Sequence, residues 1–318
     1  MIERARVHTD LEAMVEEFFR TRFSTDNPVI TEAIRRMLAA GGKRLRPRIA
    51  LLAAQASGAS PSRHVALAAY MELIHVATLV HDDVVDNAKT RRGVNATAVD
   101  YGNRISVLAG DYLFAWIFKN VTLQYPDPVP HILSATLADI CDGEVQQLRA
   151  LGNLNLTLET YVEIVMKKTA SLFAAAAECG AIMGGAGFQG RRALSDFGMH
   201  YGIAFQMKDD LLDMTGSAQA LGKPVGNDLC ERKMTIPLIL ALRAADGAFR
   251  AEVERFYAGE EAGSIPALIA RIAQRGGLDG TRGEIARYAG LAKLSLSPLE
   301  PSDAKNALEQ LADSLVDE

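Results

Sequence analysis

Two runs of aspartate are the residues whose type and spacing could do chemistry. Asp82-Asp83-Val84-Val85-Asp86 and Asp209-Asp210-Leu211-Leu212-Asp213 repeat one pattern. Helix residues four apart share a face, so Asp82 pairs with Asp86 and Asp209 with Asp213, while Asp83 and Asp210 lie one step round. Like charges at that spacing repel, and a divalent cation removes the cost. Hard carboxylate oxygens on an open helix face suit Mg²⁺, which keeps waters and completes its shell with phosphate oxygens. All six aspartates are therefore candidate metal ligands. The plain alternative is a pair of solvated acidic faces. Chance would give two such motifs in about 0.2% of chains this long, and the apolar flanks Leu79-Val80, Phe205 and Met207 count against solvated faces.

Cations stand beside both motifs. Gly41-Gly42-Lys43-Arg44-Leu45-Arg46-Pro47 reads as a compact turn entering a helix, whose glycines let backbone approach an anion while Lys43 and Arg46 supply charged donors. Arg91-Arg92-Gly93 follows the first motif, Lys223 and Lys233 follow the second, and Lys168-Thr169 lies in a helix between them. Charge balance among surface loops is the bland reading. The stronger one is a polyanion, bridged to the carboxylates by metal.

The elements that must position these groups are helices. Of 318 residues, 49% are apolar, and Ala and Leu recur with little β-branched alternation. Thr157 to Met183 spaces Tyr161, Ile164, Val165, Leu172 and Phe173 as a helical apolar face. Asp100-Tyr101-Gly102 interrupts the pattern before a helix from about Ile105 to Val121, and Tyr125-Pro126-Asp127-Pro128 breaks it again. Lys89 to Asn95 and Gly216 to Thr235 read as functional loops, and Glu260 to Ser264 as a plain one. The expectation is all-α: one domain over residues 1–318, with a dozen or so helices.

The bulk numbers exclude some functions. A net charge of −5 argues against nucleic acid as partner. Three scattered cysteines, Cys141, Cys179 and Cys230, read as reduced buried thiols. The N-terminal residues lack a signal-peptide pattern, and no uninterrupted apolar run reaches the roughly 18 residues of a membrane span. The expected location is cytoplasmic.

The series Gly42-Lys43-Arg44-Leu45-Arg46-Pro47, His75, His81 to Asp86, Arg91-Arg92-Gly93, Gly110-Asp111, Gly143-Glu144, Gln147, Lys168-Thr169-Ala170, Phe205-Gln206, Asp209 to Asp213 and Gly222-Lys223-Pro224 resembles the trans-polyprenyl diphosphate synthases, or polyprenyl synthetase family. The ordered motifs cover most of the chain. The resemblance implies a helical fold around a deep central cavity, usually in a homodimer, with both aspartate motifs facing each other across its mouth. It implies that they hold an allylic diphosphate (farnesyl or shorter) through Mg²⁺, with Arg91, Lys168 and Lys233 completing that site and Gln206 and Thr169 nearby. Lys43, Arg46, His75 and Arg92 would bind isopentenyl diphosphate, and release of a greasy product implies peripheral contact with a membrane.

Chain length should depend on what blocks the cavity below the first motif. Ala77 and Thr78 lie one turn before Asp82, where short-product relatives often carry an aromatic floor. Both are small here, and a turn rises about 5.4 Å, close to one isoprene unit. The next candidate floor is Phe114, Ile117 and Phe118, for which core packing is the commoner role. The expectation is six to ten units, octaprenyl best, with a short-chain geranylgeranyl or farnesyl synthase as alternative.

Two features depart from the family pattern: Arg232 replaces the usual Gly, and Ser314 to Glu318 is acidic where many relatives are basic. A terpene cyclase fits less well, because a separate cationic site for a second diphosphate has no role in it, and a head-to-head condensing enzyme is a weaker rival. A cyclase's second motif also mixes Asn, Ser or Thr with Glu. A non-catalytic partner subunit commonly loses its aspartates, and all six remain.

Overall fold

A computed structural model describes residues 2–216, 225–243, 247–259 and 264–317. Lys223 and most of the loop from Glu260 lie outside the described residues.

Among the described residues the chain forms fifteen α-helices. The first five are α1 (Ile2–Arg22), α2 (Pro28–Ala39), α3 (Leu45–Ala56), α4 (Val65–Val85) and α5 (Thr97–Gln124). Next come α6 (Val129–Ala150), α7 (Leu158–Val165), α8 (Ser171–Met183), α9 (Phe188–Thr215) and α10 (Asn227–Cys230). The last are α11 (Ile236–Arg243), α12 (Gly247–Ala258), α13 (Ile265–Gln274), α14 (Gly277–Ser295) and α15 (Asp303–Asp313). The all-α expectation holds. The break before Ile105 is a kink inside α5, where Gly102 has φ 79° and ψ 158°.

The chain divides into two compact units. One holds Met1–Ala135, Ala175–Ser195 and Pro298–Leu308; the other holds Thr136–Ala174, Asp196–Ser297 and Glu309–Glu318. In the first, α4 is the core helix. Leu67, Tyr70, Met71, Leu73, Ile74, Val76, Ala77 and Val80 are buried on it, and α1, α3 and α5 pack around them. Together with the turn before it, Pro61–Val85 has the length and mean hydropathy (1.2) of a membrane span, but 72% of that window is buried. It is a core helix with Glu72 and Asp83 sunk in it.

In the second unit, α9 packs on the start of α8 through glycine. A Cβ on Gly202 would come within 2.5 Å of Ala170 Cα, so only glycine allows this approach. The predicted helix over Thr157–Met183 is continuous but not uniform: between α7 and α8, Met166–Ala170 forms a single π turn. Such bulges are frequent at functional sites.

The cysteine reading needs correction. Cys179 is buried, but Cys141 and Cys230 are exposed, because each falls on the outer face of its helix.

Candidate active site

The first motif ends α4, and its aspartates fall into two kinds. Asp82 and Asp86 are half-exposed on one face of the helix. That partly accessible face continues back through Leu79, Thr78 and His75, the i−3, i−4 and i−7 positions from Asp82. Asp83 points the other way and is 0% exposed. Its Oδ1 accepts from Arg91 Nε at 2.8 Å and Nη2 at 2.5 Å, while its buried Oδ2 has no hydrogen-bond partner among the described residues. Burial pushes the Asp83 carboxyl above its usual range, and Arg91 opposes the shift.

Arg91 and Arg92 are presented by a two-strand hairpin that the pattern of residues did not predict. β1 (Thr90–Arg91) pairs antiparallel with β2 (Val94–Asn95), Arg91 opposite Val94. The connecting residues Arg92 and Gly93 have φ 51° and 79°, the left-handed pair a tight two-residue hairpin requires. Arg92 Nη1 donates to Gly41 O, and the guanidinium lies against Gly42, where a Cβ would come within 2.8 Å of Nη1. The Arg92 guanidinium thus packs on Gly42 where the hairpin meets the cationic turn.

That turn enters α3 through Arg44, in the left-handed conformation (φ 45°). Arg44 is a structural cation. It donates to Glu72 at 2.9 Å, Glu16 at 2.6 Å and Leu38 O at 2.8 Å. Lys43 is exposed and Arg46 buried. His75 is held well below its usual pKa, first by burial and then by Arg46, Arg92, Arg91 and Arg44. The first unit therefore brings together Arg46, His75, Arg91 and Arg92, an arrangement that favours a polyanion.

Candidate chain-length residues also separate. Ala77 and Ile117 are completely buried in the core of the first unit, whereas Thr78, Phe114 and Phe118 keep accessible surface. Thr78 bonds its own helix at His75 O, 2.8 Å.

The second motif lies near the end of α9. Asp209 is exposed, Asp210 and Asp213 buried. Tyr161 Oη donates to Asp210 Oδ2 at 2.6 Å, and Gln206 Nε2 donates to Oδ1 at 2.9 Å. Burial raises the Asp210 pKa to about 7, with Asp228 adding to it and the two donors opposing. Asp213 Oδ2 accepts from the Asp228 amide at 3.1 Å.

Lys168 projects from the π turn toward α6, where it pairs with Glu144 and donates to Gln147 Oε1 at 2.6 Å. Thr169, beside it, donates to Gln206 Oε1 at 2.8 Å. Lys233 pairs with Glu231 at 2.7 Å. Arg232 has φ 58°, which explains why glycine is usual there. Its carbonyl accepts from the Gly152 amide at 2.8 Å.

Sequence reading missed two groups here. Asp228 adds a carboxylate that acts electrostatically on Asp210 and Tyr161; its place between Gly222-Lys223-Pro224 and Lys233, in a loop read as functional, is the signal that could have found it. Tyr161 reads as core because its hydroxyl leaves the apolar period unchanged.

A model described as polyprenyl synthetase matches residues 27–272. The octaprenyl diphosphate synthase of Escherichia coli is 41% identical over 70% of this chain and 68% of that protein. A short chain isoprenyl diphosphate synthase of Methanothermobacter thermautotrophicus is 34% identical over 100% of this chain and 99% of that protein. The crystal structure of a polyprenyl synthase from Caulobacter crescentus, complexed with calcium and isoprenyl diphosphate, has a TM-score of 0.93 at 38% identity, covering 100% of this chain and 98% of that one. On its fold, its paired aspartate motifs and these matches, the chain belongs to the polyprenyl synthetase family and is a prenyltransferase that makes prenyl diphosphates.

Proposed function

We propose that the chain condenses isopentenyl diphosphate head to tail with an allylic diphosphate, farnesyl or shorter, in a Mg²⁺-dependent reaction. The product is an all-trans prenyl diphosphate of medium to long chain, octaprenyl the best single assignment. The observation that carries this reading is the accessible face of α4, which runs from His75 among its arginines, past the small Thr78, to Asp82 and Asp86.

The donor set fits Mg²⁺. It consists of carboxylate oxygens without thiolate or imidazole, and Asp83 Oδ2 is a buried acceptor with no partner among the described residues. Among those residues no three His, Cys, Asp or Glu groups could hold a metal by themselves. A Mg²⁺ shell filled out by water and diphosphate oxygens agrees with that. Asp82, Asp86 and Asp209 are the proposed direct ligands. Asp83 offers its unpartnered Oδ2 as a further acceptor, and Asp210 and Asp213 act through their hydrogen bonds.

When bound, the metal would neutralise charge on the departing diphosphate. Arg91, Lys168 and Lys233 add cationic donors for that leaving group, Thr169 and Gln206 support them, and Lys223 is assigned to the same role by the family resemblance alone. Lys43, Arg46, His75 and Arg92 bind isopentenyl diphosphate, holding its double bond close to the allylic carbon. Carbon–oxygen cleavage gives an allylic cation, the double bond attacks it, and a diphosphate oxygen takes the released proton. Thr78 leaves room for a growing tail, and Phe114 and Phe118 are candidate floors.

The protein is proposed to act in the cytoplasm as a homodimer, releasing product at a membrane surface. Leu108, Tyr112 and Leu123 are exposed along α5 and would form part of the subunit contact. Separating products by length after elongation of farnesyl diphosphate tests the assignment. Octaprenyl diphosphate is expected, and a product stopping at geranylgeranyl would replace it with the short-chain reading.

A further inference from the structure

Tyr161 has no place in the reaction as described, yet its hydroxyl makes a buried side-chain hydrogen bond in the second unit. The ring is 4% exposed on α7, and its Oη donates to Asp210 Oδ2 at 2.6 Å. Phenylalanine would fill the same core volume. A buried hydroxyl that core packing does not require is retained only at the cost of desolvating it, unless it meets a partner that needs it.

Asp210 is that partner. It is 4% exposed, and each of its oxygens accepts a hydrogen bond, from Tyr161 on one side and Gln206 on the other. The carboxylate therefore could not turn to a metal without giving up a buried donor. Gln206 passes the connection on, because its Oε1 accepts from Thr169 at 2.8 Å. The result is one hydrogen-bonded line, Tyr161–Asp210–Gln206–Thr169, buried at its Tyr161–Asp210 end and part-buried beyond it. It joins α7, the aspartate-bearing end of α9 and the π turn that carries Lys168.

We propose that Tyr161 is a positioning residue, which locks Asp210 in the interior and thereby fixes the rotation of α9 that presents Asp209, together with the turn that presents Lys168. The inference rests on the proposed metal role of Asp209. Direct hydrogen-bond partners of metal ligands typically change metal affinity about 10- to 100-fold when removed, and Tyr161, acting through Asp210, belongs at the lower end of that range.

The test is Mn²⁺ binding, followed by electron paramagnetic resonance on the full chain with inorganic diphosphate and no turnover. Tyr161→Phe should weaken Mn²⁺ binding about tenfold. The double variant Tyr161→Phe/Asp210→Asn should bind no more weakly than Asp210→Asn alone, because the hydroxyl acts through that carboxylate. The Michaelis constant for isopentenyl diphosphate should not move. Wild-type Mn²⁺ affinity in Tyr161→Phe, or additive losses in the double variant, overturns the role given to Tyr161. Asp209→Ala separates the two layers of argument: if it binds Mn²⁺ as well as wild type, the metal assignment itself has failed.

Discussion

A Cβ placed on Gly143 of α6 would come within 2.6 Å of the Lys168 amide nitrogen. The helix carrying Glu144 and Gln147 thus rests directly on the backbone of the π turn, and glycine makes the approach possible. Gly143→Ala must push the two apart. It should lower turnover about 100-fold, as a shift of about 1 Å in a catalytic group does, and cost about 1–3 kcal/mol of stability. Single-turnover kinetics and denaturant melts check both.

Thr78 and Ala77 are neighbours with different surroundings. Thr78→Phe should shorten the product by at least one isoprene unit, since a new ring would fill about one turn of the accessible face of α4. Ala77→Phe should leave product length alone and destabilise the fold by about 1–3 kcal/mol, because Ala77 is completely buried. Chromatography of the products separates the two outcomes. An unchanged profile for Thr78→Phe discards the floor argument.

Burial and four arginines hold His75 neutral in the folded chain, well below the ordinary histidine value. The sign follows. Above about pH 6.5 both folded and unfolded forms are neutral there, and the site contributes no pH dependence. As pH falls through 6.5, only the unfolded chain takes up the proton, so stability falls by up to about 1.4 kcal/mol per pH unit. His75→Gln should therefore flatten the decline between pH 6.5 and 5, measured by urea unfolding at each pH.

Arg44 and Glu72 form a buried pair beside the cationic cluster. Glu72→Ala leaves the buried Arg44 Nη1 without its acceptor, while Glu16 still pairs with Nε, and should cost about 2–3 kcal/mol. The double change Arg44→Met/Glu72→Leu should cost less than either single change, which thermal melts can compare. Turnover in the double variant should survive better than in Glu72→Ala, since Arg44 binds protein groups in the structure.

Much of this was legible in the sequence, and the reasons are local. Asp82 and Asp86 declare themselves because helix geometry alone puts i and i+4 together, and Gly102 and Pro126 interrupt a pattern within one window. The rest depends on the other side of a packed contact. The π turn at Met166–Ala170 sits against Gly143, twenty-odd residues earlier, and nothing in its own residues distinguishes it from an ordinary helix. The hairpin at Thr90–Asn95 has two-residue strands, too short for alternation to show. All six aspartates look alike in sequence. Only burial separates Asp83 and Asp210, held by Arg91 and Tyr161, from Asp82 and Asp209, each accessible on its own helix.

The central claim is metal-dependent elongation by the aspartate motifs. Its most direct test is to incubate the purified chain with Mg²⁺, isopentenyl diphosphate and farnesyl diphosphate, beside its Asp82→Ala and Asp209→Ala variants, and to analyse the products. The account predicts linear all-trans chains longer than farnesyl from the wild type, and a loss of about 1,000-fold or more in each folded variant, as when charge stabilisation is removed from a leaving group. Cyclic hydrocarbons, no consumption of isopentenyl diphosphate with any allylic primer, or near-normal rates in the variants would contradict it.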